Sequence, residues 1–173
     1  MEEEFSTEMF PAEPGDFDEI YTLCRSAAKG SVSTEWGDDY PNRAIIENDL
    51  KTGGLYKFIH KGKIISIMKF RPWSDYIKGE EDTDIDTWDP DIHNPCALGR
   101  FCVSPEYMGH GLGRKFLWAS VYKAKDMGYD GVFFHAAKGD YVATHLYDSM
   151  GFHRAGEVHC YDMDFVCYEM KCQ

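Results

Sequence analysis

A mixed α/β fold, with one sheet covered by helices, is what this 173-residue sequence predicts. Three features carry that reading. Apolar residues recur at helical spacing in about four segments and at strand spacing in six or seven, and the two kinds alternate along the chain. A glycine-rich turn joins a strand to a helix near residue 110. No repeat, low-complexity tract or second domain interrupts the pattern, and the length suits a single domain over residues 1–173.

The elements follow in order. Phe5 to Phe10 reads as a short first strand. After Pro11 a helix starts near Pro14-Gly-Asp16; Phe17, Ile20, Tyr21, Leu23 and Cys24 share one face through about Ala28, and Gly30 ends it. Residues 31–41 are irregular and hold Trp36 and Tyr40. Asn42 is the expected cap of a second helix with Ala44, Ile45, Ile46 and Leu50, closed by Gly53-Gly54. Leu55–Ile59 and Lys63–Phe70 flank a turn with Gly62, a hairpin signal.

Residues 71–95 form a long acidic connection carrying Trp73, Tyr76, Trp88 and His93, and a loop of that length in a compact domain is usually functional or partly disordered. Ala97 to Val103 reads as a central strand. The helix after the glycine turn, Gly111 to about Met127, gathers Leu112, Phe116, Leu117, Trp118, Val121 and Tyr122 on an apolar face. A strand over Gly131–Ala136, a helix over Asp140–Met150, and strands over Phe152–Tyr161 and Phe165–Lys171 complete the chain.

Composition narrows the function. Lys and Arg number 18 against 30 Asp and Glu, a net charge of −12, which speaks against a general nucleic-acid binder because phosphate contacts need basic surface. Such acidity suits a cationic ligand such as an amine, and it equally serves as solubilising surface. The six cysteines form no C-x-x-C pair, and no His/Cys cluster has zinc spacing, so no metal is implied. Met-Glu-Glu-Glu-Phe lacks the regions of a signal peptide, and no apolar run approaches the ~20 residues that span a bilayer. The expectation is a cytoplasmic protein with reduced thiols and no membrane partner.

Val103-Ser-Pro-Glu-Tyr-Met-Gly-His-Gly-Leu-Gly-Arg114 is the most informative stretch. Its glycines allow tight turning, and the following helix offers unpaired N–H groups and a positive dipole end, which together suit an anion. Downstream lies Ala143-Thr-His-Leu-Tyr-Asp-Ser-Met-Gly-Phe152. Together the two segments resemble the GNAT superfamily of acyl-CoA-dependent N-acetyltransferases, whose motifs run V-x-P-x-Y-R/Q-G-x-G-I/L-G and A-x-x-L-Y-x-x-x-G-F. The likeness is specific from Leu98 to Phe152 and extends from Phe10 to the C-terminus. Trp36-x-x-x-Tyr-Pro41 with the long loop resembles a bacterial subgroup of small single-domain members.

The resemblance implies a mixed, mostly antiparallel sheet of about six or seven strands flanked by about four helices. It also implies transfer of an acetyl group from acetyl-CoA to the primary amine of a small molecule, amino acid or peptide, the alternatives being a non-catalytic acyl-CoA-binding or regulatory module and a protein lysine or N-terminal acetyltransferase. Diphosphate would rest on the turn Met108, Gly109, His110, Gly111, Leu112, Gly113 and Arg114; Lys115 is a second basic candidate. The backbone of Phe101, Cys102 and Val103 would hold the pantetheine arm, so Cys102 is read as structural. Met108 replaces the family's usual Arg or Gln.

Tyr147 is the implied general acid and cofactor contact. Asp140 stands where relatives carry a cofactor-contacting Asn; it also reads as the cap of its helix. The usual strand glutamate is missing, since Cys96, Ala97 and Leu98 occupy those positions, leaving His135 and His93, with Asp91 and Glu35, as candidate bases. Trp36, Tyr40, Trp73 and Tyr76 beside acidic residues are candidates for the acceptor site, either as a cation cage or as lids packed on the core. Many relatives dimerise, so a homodimer is possible by resemblance.

Overall fold

The near-continuous apolar run from Ile64 to Phe70 becomes part of strand β3 (Lys63–Pro72), and every residue in that run is buried. A strand that alternates apolar and polar residues keeps one wet face; a strand without alternation keeps none. The computed structural model describes residues 1–31, 35–74 and 89–173. Around β3 the chain runs β1 (Phe10–Pro11), α1 (Phe17–Gly30), α2 (Arg43–Thr52), β2 (Leu55–His60) and β3 itself. Then come β4 (Pro95–Val103), α3 (Leu112–Asp126), β5 (Gly131–Ala137), α4 (Tyr141–Met150), β6 (His153–Cys160) and β7 (Met163–Lys171). The strands form one seven-stranded sheet in the order β1-β2-β3-β4-β5-β7-β6. β4 and β5 are parallel, while β1–β2, β2–β3, β5–β7 and β6–β7 are antiparallel. The sheet is mixed and mostly antiparallel, as the resemblance implied, and four α-helices lie wholly among the described residues.

Contacts along the chain gather into two compact units. The first comprises Met1–Ser31, Trp36–Lys69 and Arg100–Ala119. On one face of β3, Ile64 and Ile67 pack with Ile20, Leu23 and Cys24 of α1 and Ile46 of α2. On the other, Ile65 packs with Phe5, Phe58, Leu112 and Phe116, and the rings of Phe58 and Phe116 stack at 4.1 Å. Each such side chain, fully buried, contributes roughly 1.5–3 kcal/mol. Asn42 caps α2 as expected, its side chain accepting from the Ile45 N–H at 3.0 Å. Lys69 is buried within this unit, and its ammonium donates to the Asp49 carbonyl (3.1 Å), Thr52 Oγ1 (2.9 Å) and the Gly53 carbonyl. A buried amine is tolerable when its donors are satisfied in this way.

Two boundaries differ from expectation here. The first strand is only Phe10–Pro11, paired with Lys57 and Tyr56, rather than Phe5–Phe10. Phe5 instead buries its ring in the cluster with Phe58, Ile65, Leu112 and Phe116, and Ser6-Thr7-Glu8 offers no apolar alternation to extend a strand. Helix α1 includes Gly30, ending where the Ser31 N–H reaches the Ala28 carbonyl.

The second unit comprises Val32–Glu35, Phe70–Gly99 and Ser120–Gln173. Phe133 and Ala137 of β5 pack with Ala97, Ala155, Val158, Phe165 and Cys167. Phe134, the intervening residue, faces the other way, with ring contacts to Phe152 (5.0 Å) and Tyr168 (5.6 Å). β4 begins at Pro95, two residues earlier than its sequence signal, because Pro95 and Cys96 pair with Gly131 and Val132. That parallel ladder stops at Ala97 and Phe133. β7 lies between β5 and β6, so the C-terminal strands pair within this chain. All six cysteines are free thiols. No helix among the described residues is long and apolar enough to cross a membrane.

Candidate active site

The glycine turn belongs to the first unit. β4 ends with the Ser104 N–H donating to the Ile65 carbonyl at 2.7 Å, and a single 3-10 turn, Pro105–Tyr107, leads into Met108. Gly109 (φ 85°) and Gly111 (φ 69°) then take left-handed backbone conformations that a β-carbon disfavours. A β-carbon at either position would meet nothing within 4 Å, so the turn opens onto free space. The first hydrogen bond of α3 runs from the Lys115 N–H to the Gly111 carbonyl at 3.2 Å. The amides of Leu112, Gly113 and Arg114 precede it, at the positive end of the helix dipole. Below them Leu112 is 3% exposed and packs beside Phe116, which docks the start of the helix firmly. Backbone donors, glycines and open space above them fit the diphosphate of coenzyme A.

Side chains around the turn divide. Met108 is 66% exposed, and His110 and Arg114 are exposed as well. Lys115, a sequence candidate for neutralising phosphate, donates its ammonium to the Phe5 carbonyl at 2.5 Å. On the strand ahead, Phe101 and Val103 are half-buried and Cys102 is buried, its carbonyl accepting from Ser66 Oγ at 2.6 Å. A hydrogen bond with Cys24 and burial raise the Cys102 thiol well above its ordinary range, so it is a structural thiol.

Tyr147 belongs to the second unit. Asp140 caps α4, its carboxylate accepting from the Ala143 N–H at 3.0 Å. Gly151 ends the helix with φ 86°. Between them the Tyr147 ring stands edge-on to Phe134 (4.7 Å) and against Tyr168 (5.2 Å). Burial, with Asp140, Tyr168 and Glu35 adding to it, pushes its hydroxyl well above the usual tyrosine range, so the proton stays on. The neighbouring Tyr168 hydroxyl donates to Asp148 at 3.2 Å, and Asp148 is gripped by Arg154 at 3.0 and 2.7 Å. No hydrogen bond among the described residues engages the Tyr147 hydroxyl. Of two adjacent tyrosines, one has its hydroxyl bound within the fold, and the other keeps a donor to offer.

The candidate bases separate. Because Phe134 faces Tyr147, alternation turns His135 to the opposite face of β5, where its ring meets Phe165 at 4.6 Å. Burial, and secondarily the Arg71 guanidinium, push its pKa down to about 4, leaving a neutral imidazole at pH 7. Trp73 lies on that same face, its ring 4.1 Å from Phe133. His93 is exposed, and its N–H donates to Asp130 at 2.7 Å, which fixes it at the opening of β5. That is roughly 16 Å along the strand from His135 at about 3.3 Å per residue, so the structure does not bring the two histidines together.

In the loop after α1, Tyr40 is half-buried, and its hydroxyl accepts from Arg100 at 2.6 Å while its ring lies 5.4 Å from that guanidinium. Trp36 meets Tyr40 edge-on at 6.0 Å and packs against the core beside α1. Arg25 donates to the carbonyls of Gly37 (2.7 Å), Asp38 (2.9 Å) and Pro41 (2.9 Å). Two guanidiniums, neither singled out from sequence, therefore shape this loop. The available signal was an arginine inside an apolar strand, Leu98-Gly-Arg-Phe101. Tyr76 and Trp88 lie outside the described residues.

The two sequence motifs thus take the form of a main-chain turn at a helix start and, further along the chain, a tyrosine hydroxyl held protonated. The sequence profile of the acetyltransferase (GNAT) family matches residues 17–152, and the chain belongs to that family. Among solved structures it resembles a GNAT-family acetyltransferase from Streptococcus agalactiae 2603, at 21% identity over 96% of this chain and 95% of that one, TM-score 0.77. It also resembles the ribosomal-protein-S18-alanine N-acetyltransferase of Escherichia coli, at 15% identity over 96% and 94%, TM-score 0.68. A third likeness is to the NatC complex bound to Gag peptide and CoA, at 13% identity over 96% and 98%, TM-score 0.66. At these identities the likenesses establish the fold. No curated protein matches the chain.

Proposed function

We propose that the protein moves the acetyl group of acetyl-CoA to a primary amine of a small molecule, amino acid or peptide, by direct attack, with Tyr147 as general acid. The observation that carries this reading is the Tyr147 hydroxyl, protonated and engaged by no hydrogen bond among the described residues. Bound coenzyme A supplies the acetyl group as a thioester. The amides from Met108 to Arg114 hold its diphosphate, and the backbone of Phe101–Val103 aligns its arm. As the amine nitrogen forms the C–N bond and the C–S bond breaks, Tyr147 gives its proton to the departing sulfur. The proton that the amine loses passes to water, because His135 lies on the face of β5 opposite Tyr147. The chain's acidity favours a cationic acceptor in this reading.

The test is calorimetric titration with acetyl-CoA, followed by a panel of polyamines, amino acids and peptides with free thiol as readout. Binding with thiol release for one amine class is the expected result and names the acceptor. Binding without release from any amine overturns the transferase reading in favour of an acyl-CoA-binding module.

A further inference from the structure

The residues ahead of β1 lie outside both family motifs, yet they are fastened to the glycine turn. Phe5 is 5% exposed, with ring centroids of His60, Tyr107 and His110 at 4.3, 5.7 and 5.2 Å. Tyr107 closes the 3-10 turn before Met108, and His110 sits between Gly109 and Gly111. The Phe5 carbonyl accepts from Lys115 in the first turn of α3 at 2.5 Å. Two residues earlier, the Glu3 carboxylate accepts from Lys61 and lies 2.9 Å from His60 Nε2, while the His60 ring meets Tyr107 at 5.4 Å. The segment therefore touches the turn before, within and after its glycines.

Glycines with positive φ have the most backbone freedom to lose, so a turn built from them needs outside contacts to stay ordered. We propose that Glu3–Phe5 is a strap whose ring and carbonyl contacts hold the turn in its anion-binding shape, making Glu3 and Phe5 positioning residues for coenzyme A. The proposal rests on the reading of this turn as the cofactor site. The strap adds no donor of its own. It lowers the ordering cost that coenzyme A would otherwise bear on binding.

Glu3→Gln and Phe5→Leu test it. Leucine keeps an apolar side chain at this position while the ring contacts are lost, and β7 exchange reports whether the smaller volume loosens the fold as a whole. In each variant, amide exchange at residues 108–112 of the unliganded protein should quicken about fivefold, with exchange in β7 unchanged. The dissociation constant of free coenzyme A should weaken about fivefold in parallel. Unchanged exchange and affinity in both variants overturn the strap. Faster exchange with unchanged affinity overturns the positioning role, and Gly111→Ala then shows which premise failed. That substitution strains a backbone at φ 69°. If it too binds coenzyme A like the wild type, the turn is not the cofactor site; if it binds poorly, the site stands without the strap.

Discussion

In the proposed reaction the working atoms of the glycine turn belong to the backbone, whereas at Tyr147 the working atom is a single side-chain oxygen. The turn uses side chains to set its conformation: Leu112 anchors the helix start, Phe5 braces it, and Gly109 and Gly111 permit the curvature. Its donors are amides that every residue but proline carries. Around Tyr147 the order reverses, since Phe134, Phe152 and Tyr168 form a surround whose consequence is the state of one hydroxyl. A backbone site therefore tolerates changes at its exposed positions, and a side-chain site does not tolerate the loss of one atom.

The widest separation of the two regions comes from Tyr147→Phe. Removing a positioned proton donor typically costs 10²–10⁴ in rate, and the lower end suits a leaving group as stable as a thiolate, so kcat should fall about 10²-fold. Acetyl-CoA affinity should stay the same, because the turn is untouched. Thermal stability should hold or rise, since the lost hydroxyl has no acceptor among the described residues. Thiol-release kinetics beside calorimetric binding would check both halves. Equal losses in affinity and turnover would refute the division of labour.

A second separation concerns pH. The amides of the turn do not titrate, whereas His135 has a folded pKa of about 4 against roughly 6.5 when unfolded. The fold thus prefers the neutral imidazole. Its contribution is fully present above the unfolded pKa and is lost as pH falls from about 6.5 through about 4. Denaturant unfolding at pH 7 and pH 5 should show His135→Gln losing less stability on acidification than the wild type, by about 1–2 kcal/mol.

What could be read from the sequence follows the range of each interaction. The turn, the Asn42 and Asp140 caps and the position of Tyr147 are local: glycine at positive φ, a capping side chain three residues from its amide, a tyrosine at fixed distance from Gly151. The family motifs are built from such short spacings, which is why two of them sufficed to indicate the fold. Phe5, Arg25 and Arg100 could not be read in this way, because each acts on residues far along the chain. Arg100, for example, reaches Asp49 and Tyr40, and its own φ of 55° in a strand has no residue-level signal. The lowered pKa of His135 has no local signal for the same reason: an ordinary imidazole value holds in water, and Phe165 packs on the ring from β7.

The smallest expected effect is the sharpest test of a backbone-made site. Met108 stands where relatives carry Arg or Gln, and its side chain is 66% exposed. If amides do the holding, Met108→Arg adds only a surface charge near the diphosphate. Exposed ion pairs contribute about 0.2–1 kcal/mol, so coenzyme A should bind about two- to fivefold tighter in low salt. The gain should fade toward 1 M salt, where the screening length is about 3 Å. A gain that persists in high salt, or one of a hundredfold, would mean that the side chain at this position reaches a desolvated contact. The turn would then share the dependence on individual atoms that marks Tyr147.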